Sequence, residues 1–261
     1  TFIAALFTQH QISFPVIVKP ANEGSSFGVF CVHEPKKLRA AIQKSCFISG
    51  DVGQDVLIEQ KIEGMEFCCI VITDVTTGNL VLKRGVDVFD YRHKYMPGVA
   101  TKRTPALCSL EKIQKIQNVC IATMRALEMT NVARFDGFVT KSGEVIIIDS
   151  NPLSGMAPSS FLFRQACEIG MGHAELINHL IKTELKNYNI SRQVTEMNDQ
   201  KKIKIAVLFG GASNEKEISL ESGRNVCYKL SPQKYEVVPV FVSSDMQLYQ
   251  IPHKLLVCTS T

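Results

Sequence analysis

The sequence predicts a mixed α/β (α+β) fold, on three observations. Up to about residue 189, short apolar runs typical of strands alternate with amphipathic stretches typical of helices. Residues 190–201 are polar and lose all periodicity, which is typical of a linker. From residue 202, a strand running into Gly210-Gly211, a helix and a second strand predict the β-α-β beginning of a parallel α/β domain.

The elements of the first part follow from periodicity and from helix start signals. The apolar run at residues 14–18 predicts a strand that delivers Lys19 to the following loop. Pro35 is expected to open a helix, because proline is favoured in the first helical turn. The same criteria predict two further strands and two longer amphipathic helices, at residues 56–59, 66–73, 109–127 and 176–185.

Composition sets limits on the class of protein. The 261 residues are 45% hydrophobic and 21% charged, which is typical of a globular protein with a sizeable core. The net charge of +4 is spread along the chain, so it indicates no nucleic-acid or membrane partner. No apolar stretch is long enough to span a bilayer, and we expect a cytoplasmic protein, or a plastid one in a plant or alga. The nine cysteines show no metal spacing and are expected to be free thiols.

A hairpin at residues 133–152 gathers charged side chains. A two-residue loop at Ser142-Gly143 predicts cross-strand pairs of Lys141 with Glu144, Asp136 with Asp149, and Arg134 with Asn151. Because side chains alternate along a strand, Arg134, Asp136, Asp149 and Asn151 are expected to share one face. The opposite face is then expected to be apolar, with Phe135, Val139, Ile146 and Ile148.

The predicted pairing of two carboxylates indicates a cation. Directly opposed Asp136 and Asp149 repel each other unless a positive ion lies between them. Carboxylate and amide oxygens suit Mg²⁺, which usually completes its shell with water and substrate phosphates. The alternative, that these are ordinary solvent-facing polar residues, stays open on spacing alone.

A glycine- and serine-rich loop at residues 18–28, with the sequence VKPANEGSSFG, has two interpretations. It lacks the residue order of a P-loop or of a dinucleotide-binding turn, so it could be a plain turn. Gly24 and Gly28 nevertheless allow the backbone to approach a ligand, Ser25 offers a hydroxyl, and Lys19 offers a charge. The metal predicted in the hairpin favours a phosphate partner for this loop.

Several motifs together resemble one family. These are FPVIVKPANEGSSFGV, VLIEQKIEGMEF, FDYRHKY, ARFDGF, IIIDSNPLSGMAPSS and, after the linker, IAVLFGGASNEKEISLESG. In this combination the chain is similar to the D-alanine–D-alanine ligases, which have the ATP-grasp fold. The resemblance implies an ATP-grasp central subdomain, a C-terminal catalytic subdomain, a linker and a partial N-terminal-type domain, at residues 1–75, 76–189, 190–201 and 202–261.

The resemblance also implies a reaction. ATP phosphorylates one D-alanine, and the amine of a second displaces phosphate from the acyl phosphate, giving the dipeptide for peptidoglycan precursors with Mg²⁺ (or Mn²⁺). An ATP-grasp ligase with D-lactate or D-serine as second substrate is one alternative. A non-catalytic Mg-ATP-binding fragment is another. Neither a nucleic-acid nor a membrane partner is expected.

Residue roles carry over by motif. The ATP-binding residues would be Lys19 and Lys94 at the phosphates, Glu59 and the Ile62 backbone at the adenine, and Glu66 at the ribose. The metal ligands would be Asp136, Asp149 and Asn151, with Asp149 standing where the family usually has Glu. The catalytic set would be Arg134, the Gly155 amide as oxyanion donor, and Ser25 and Tyr95 in closing loops. The substrate-binding residues would be Ser160 at the second D-alanine and Glu215 at the first.

Two residues bear on how closely the chain follows the family. Ser154 stands where the family commonly has proline, and Tyr95 favours D-alanine over D-lactate as acceptor. Glu215 follows the metal ligands along the chain, whereas its motif opens the family's N-terminal domain. This order predicts the back of one ligase copy joined to the front of a second, with circular permutation as the alternative. A homodimer, or pairing with a second copy in the same chain, would fit.

Overall fold

The computed structural model describes residues 2–73, 80–82, 108–190 and 202–257. The chain divides into two compact units, the first reaching to Gly64 and the second beginning at Met65. Lys94, Tyr95 and residues 191–201 of the predicted linker lie outside the described residues.

The first unit contains a three-stranded antiparallel sheet with strand order β2-β1-β3. Its elements are α1 (Phe2–Gln9), β1 (Val16–Pro20), β2 (Phe30–Val32), α2 (Pro35–Cys46) and β3 (Val56–Gln60). Val16 and Val18 on β1 are fully buried, and they form one core with Leu38 and Ala41 of α2. The predicted strand through Lys19 and the helix start at Pro35 are both confirmed.

The second unit begins with a four-stranded sheet with strand order β5-β4-β6-β7. Its elements are β4 (Gly64–Thr73), β5 (Leu80–Leu82), α3 (Leu110–Ala126), β6 (Val132–Thr140), β7 (Val145–Asn151), α4 (Phe161–Cys167) and α5 (His173–Asn187). The Ser109 hydroxyl accepts a hydrogen bond from the Lys112 amide and caps α3, as serine commonly does at this position. The predicted strands and both long helices are confirmed.

The two faces of this sheet pack against different helices. Phe67, Phe135 and Val139 lie in one buried cluster with Ile116 and Met124 of α3. On the other face Ile70 and Ile72 are buried in a second cluster, together with residues of α4 and α5. Because side chains alternate along β4 and β6, Glu66 near the start of β4 and Asp136 in the middle of β6 lie on this second face.

The remaining elements form the predicted β-α-β unit. They are β8 (Ile203–Gly210), α6 (Lys216–Lys229), β9 (Tyr235–Val242), β10 (Leu248–Gln250) and a 3₁₀ helix (His253–Val257). β8 and β9 pair in parallel, and β10 adds antiparallel to β9. Gly210 has φ 106°, and a Cβ atom there would overlap the Val242 carbonyl oxygen, so the turn after β8 requires glycine.

The β-α-β unit shares a core with the preceding part of the second unit. Phe209 and Leu220 are buried in the same cluster as Phe163 of α4 and Leu176 of α5. The two parts therefore fold against each other across one continuous apolar interior.

The described residues contain no helix that is long and apolar enough to cross a membrane. The cysteines of this part of the chain are free, as predicted, and four of them are buried: Cys68, Cys69, Cys120 and Cys227.

Candidate active site

The β6–β7 hairpin places the predicted polar residues opposite one another. Arg134 pairs with Asn151, and Asp136 pairs with Asp149. The predicted register at these positions is confirmed, so all four side chains lie on one face of the sheet.

The prediction of a two-residue loop in this hairpin was wrong. Thr140 donates its backbone N–H to the Glu144 carbonyl at 2.9 Å, so Lys141 does not face Glu144. Lys141, Ser142 and Gly143 form the loop, and Gly143 has the left-handed φ of 82° that three-residue hairpin loops favour at this position.

A β-bulge between Asp136 and Gly137 restores the predicted register at the site. Between the loop and the bulge the pairing is shifted by one residue, which reverses the faces of β7. Ile146 and Ile148 were therefore assigned to the apolar face wrongly, and Val145 and Ile147 pack there instead. Ile148 is 39% exposed.

The charged groups of the hairpin are held by neighbouring donors. Arg134 Nη2 lies 3.0 Å from Asp136 Oδ2, and both side chains are mostly buried, with exposed fractions of 25% and 17%. Asn151 Nδ2 donates to Asp149 Oδ2 at 3.0 Å. Each opposed carboxylate thus has one oxygen engaged by a donor, which lowers their mutual repulsion.

Cys68 is a member of this site that the sequence reasoning missed. Burial raises the pKa of its thiol well above the usual value, and the negative charge of Asp136 beside it raises that pKa further. The thiol is therefore protonated and hydrogen-bonded to Asp136. Alternation along the predicted strand at residues 66–73 places Cys68 on the same face as Glu66, and this was the available signal.

The segment after β7 carries the predicted oxyanion donor, Gly155, and a predicted substrate-binding residue, Ser160. Among the described residues, apart from the chain neighbours of Gly155, no heavy atom lies within 4 Å of the position that a Cβ atom would take there, so this space is open. Ser160 precedes α4 but does not cap it, and its buried hydroxyl has no hydrogen-bond partner among the described residues. A buried hydroxyl without a partner is costly, and a bound ligand would satisfy it. Ser154, which replaces the family's proline, is buried, at 4% exposed.

In the first unit, Lys19 and Glu59 form an ion pair. Glu59 lies opposite Ile17, so Lys19 and Glu59 are diagonal neighbours on the sheet face away from α2. Their Nζ and Oε2 atoms are 2.9 Å apart. The sequence reasoning assigned both residues to ATP but did not predict this contact. Ile62 follows on the half-buried segment between β3 and β4.

The loop after β1 is tied down at its start. The Ala21 and Asn22 amides donate to the Asp55 carbonyl and the Gln54 side chain, at 2.9 and 3.0 Å. Its left-handed residues are Ser25, Ser26 and Gly28, with φ values of 54°, 61° and 70°. Left-handed serines are strained, which is a common feature of loops that contact ligands.

Glu215 lies at the start of α6, in the second unit, and is exposed. Its amide donates to the Ser213 hydroxyl at 3.2 Å. The structure thus places Arg134, Asp136, Asp149 and Asn151 together and Lys19 with Glu59. Within the described residues, no group of three or more His, Cys, Asp and Glu side chains could hold a metal.

Comparison with known proteins identifies the family. Residues 4–182 match the sequence model of the D-ala D-ala ligase C-terminus. The chain belongs to the D-alanine–D-alanine ligase family. Residues 204–257 match the D-ala D-ala ligase N-terminus, so the two ligase parts follow one another in reverse order.

The ligase relatives are similar over about two thirds of the chain. The D-alanine–D-alanine ligase of Acetivibrio thermocellus is 32% identical over 187 residues, which cover 69% of this chain and 48% of the relative. The solved ligase from Bacillus anthracis is 26% identical with a TM-score of 0.55, covering 71% and 59%. The D-Ala:D-Ser ligase VanG from Enterococcus faecalis has the same identity and TM-score, covering 69% and 52%.

The solved ligases establish the predicted fold class. The chain has the ATP-grasp fold of this family, and a β-α-β unit follows. The chain spans about half the length of the ligase relatives that it matches.

Proposed function

We propose that this chain carries the site for ATP-dependent joining of two D-alanines through an acyl phosphate, for peptidoglycan precursor synthesis. The observation that supports it best is the hairpin, where Arg134 and three oxygen-bearing side chains share one face. In the part of the chain that the structure describes, the space beside Gly155 is open and the Ser160 hydroxyl has no hydrogen-bond partner, and both residues lie in the segment that follows β7. An arginine lies beside oxygen donors of the kind that bind a metal, and groups that could bind an anion follow along the chain. Such a combination is suited to phosphoryl and acyl transfer.

The hairpin donors fit Mg²⁺. Asp136, Asp149 and Asn151 supply only oxygen ligands on one face, and an ion there would offset the repulsion between the opposed carboxylates. The Asn151 amide holds one oxygen of Asp149, which orients that carboxylate. Magnesium, when bound, would neutralise phosphate charge.

The protein groups would divide the remaining work. Arg134 offers a planar set of donors to the anion that forms at the acyl carbon, and the Gly155 amide would donate to the same oxygen. Ser160 would donate its hydroxyl to the carboxylate of the second substrate. Glu215 would accept from the amine of the first substrate.

The ATP-binding residues keep the roles that the family resemblance implies. Lys19 would bind the ATP phosphates, exchanging its ion pair with Glu59 for the nucleotide, while Glu59 and the Ile62 backbone bind adenine. Glu66 would bind the ribose, and Ser25 would lie in the closing loop. Lys94 and Tyr95 complete the proposed set from outside the described residues.

D-serine is the second candidate for the accepting substrate. The solved structures similar to this chain include a D-Ala:D-Ser ligase at the same identity as a D-alanine–D-alanine ligase. The overall likeness therefore does not distinguish the two acceptors.

Phosphate release tests the proposal. We expect ADP and phosphate to form only when Mg²⁺, ATP and D-alanine are all present, and we would compare D-alanine, D-serine and D-lactate as acceptors. Asp136→Asn should abolish turnover, whereas Asp51→Asn, a change at an exposed aspartate in the first unit, should not. Thermal stabilisation by Mg-ATP without D-alanine-dependent ADP would instead indicate a nucleotide-binding fragment without ligase activity.

A further inference from the structure

The peptide backbone at Met156, directly after Gly155, is held by a helix from the other family part. The Met156 N–H donates to Ser222 Oγ at 3.1 Å, and the Met156 carbonyl accepts from Asn225 Nδ2 at 2.7 Å. Ser222 and Asn225 both belong to α6. Both backbone groups of one residue are therefore fixed by side chains 66 and 69 positions later in the chain.

Helix α6 is well placed to act as a fixed support. Ser222 and Asn225 are three residues apart and lie on one side of the helix, and Asn225 is only 5% exposed. The apolar side of the helix, with Leu220 and Cys227, is buried in the cluster that contains Phe163. The helix therefore cannot shift relative to the catalytic part without opening a core.

Gly155 itself contributes no side chain to hold this loop. Glycine has the widest backbone freedom of any residue, and among the described residues, apart from its chain neighbours, no heavy atom lies near the position of a Cβ atom at Gly155. The Gly155 N–H belongs to the Ser154–Gly155 peptide, so its direction depends on how the residues on both sides are anchored. Ser154 is buried, and Met156 is held by the pair of hydrogen bonds to α6 and by packing against the apolar cluster that contains Phe163.

We propose that Ser222 and Asn225 are positioning residues that fix the Gly155–Met156 peptide, so that the downstream N-terminus-type part positions the loop that carries the proposed oxyanion donor of the upstream C-terminus-type part. The functional importance of this peptide rests on the role of Gly155 in the proposed function. The contact between Met156 and α6 does not depend on that role. Glu215 lies two helical turns before Ser222 on the same side of α6, about 10 Å along the axis. The same docking would bring Glu215 toward the loop.

Hydrogen exchange of the Met156 amide tests the contact in the full chain without substrate. Ser222→Ala removes the acceptor of this amide, and Asn225→Ala removes the donor to its carbonyl. Because a hydrogen bond of this kind contributes about 1 kcal/mol, we expect exchange at Met156 to become about fivefold faster in each variant. Ser222→Thr keeps the hydroxyl and should restore slow exchange. Glu221→Ala, at an exposed neighbour on α6, should leave exchange unchanged.

Turnover tests the positioning role. Ser222→Ala is expected to lower kcat about fivefold with an unchanged KM for ATP, and Ser222→Thr should recover the rate. Wild-type exchange at Met156 in both alanine variants, or an unchanged kcat in Ser222→Ala, would overturn the proposal. The exchange result is independent of ligase activity, so absence of dipeptide formation would refute the proposed function without altering the contact measurement.

Discussion

Gln165 tests how the sheet that carries the candidate site is joined to the helix that follows Ser160. Its side-chain amide bridges α4 and β4, since Oε1 accepts from the Ile70 N–H and Nε2 donates to the Cys68 carbonyl, both at 3.0 Å. Gln165 is 1% exposed. We expect Gln165→Leu, which has similar volume, to destabilise the second unit strongly.

The magnitude follows from the two backbone groups that would lose their partners. Each buried, unpaired group costs about 1–3 kcal/mol, which gives roughly 2–6 kcal/mol for the pair. Burying leucine in place of an amide returns about 1–2 kcal/mol of hydrophobic free energy. The expected net loss in the free energy of unfolding is therefore about 2.5 kcal/mol, or roughly 5–10 °C in Tm.

Urea denaturation followed by circular dichroism would measure this loss. Gln114→Leu is the matched control, because Gln114 is an exposed helical glutamine whose side chain bonds only Asn118 among the contacts described. That variant should stay within about 0.5 kcal/mol of wild type. Loss of less than 1 kcal/mol in Gln165→Leu would refute the claim that its two bonds satisfy buried backbone groups.

Three further changes give expected outcomes of known sign. Asp149→Asn removes one of two opposed charges and should raise the free energy of unfolding by about 0.5 kcal/mol in metal-free buffer; denaturation without that gain would contradict the charge repulsion. Glu128 has φ 53° at the end of α3, so Glu128→Gly should stabilise by about 1 kcal/mol in thermal unfolding. Burial, and then the charge of Lys229, lower the pKa of His173. The unfolded chain therefore binds this proton more readily, and stability should fall as pH drops below about 6.5. Urea midpoints at pH 7.5 and 5.5 should show a smaller acid loss in His173→Gln.

Periodicity in the sequence was sufficient for most helices and strands because each one buries an apolar face. In the hairpin, periodicity did not predict the loop or the position of the bulge. The pairing of Asp136 with Asp149 was right although the loop was wrong, because the bulge adds one residue to β7. Within the continuous apolar run at residues 145–148, no residue type indicates which one is extra.

The contacts that the sequence did not predict are long-range and polar. Lys19 pairs with Glu59, Gln165 reaches Cys68 and Ile70 in β4, and α6 holds Met156. None of these has a periodic signature, because each depends on how separate elements pack. The roles assigned to the site residues from the family resemblance stay predictions for the experiments above.

The apolar cluster that joins α6 to α4 and α5 has a consequence for the order of the two family parts. Contact between them is determined by matching surfaces, and the chain connecting residues 190 and 202 acts as a tether that raises their effective concentration. A tethered interface persists at an intrinsic affinity too weak to hold two separate molecules together. The order of the two parts in the polypeptide then determines only how they are connected. After cleavage of the tether, the contact between them would form by association of two separate molecules.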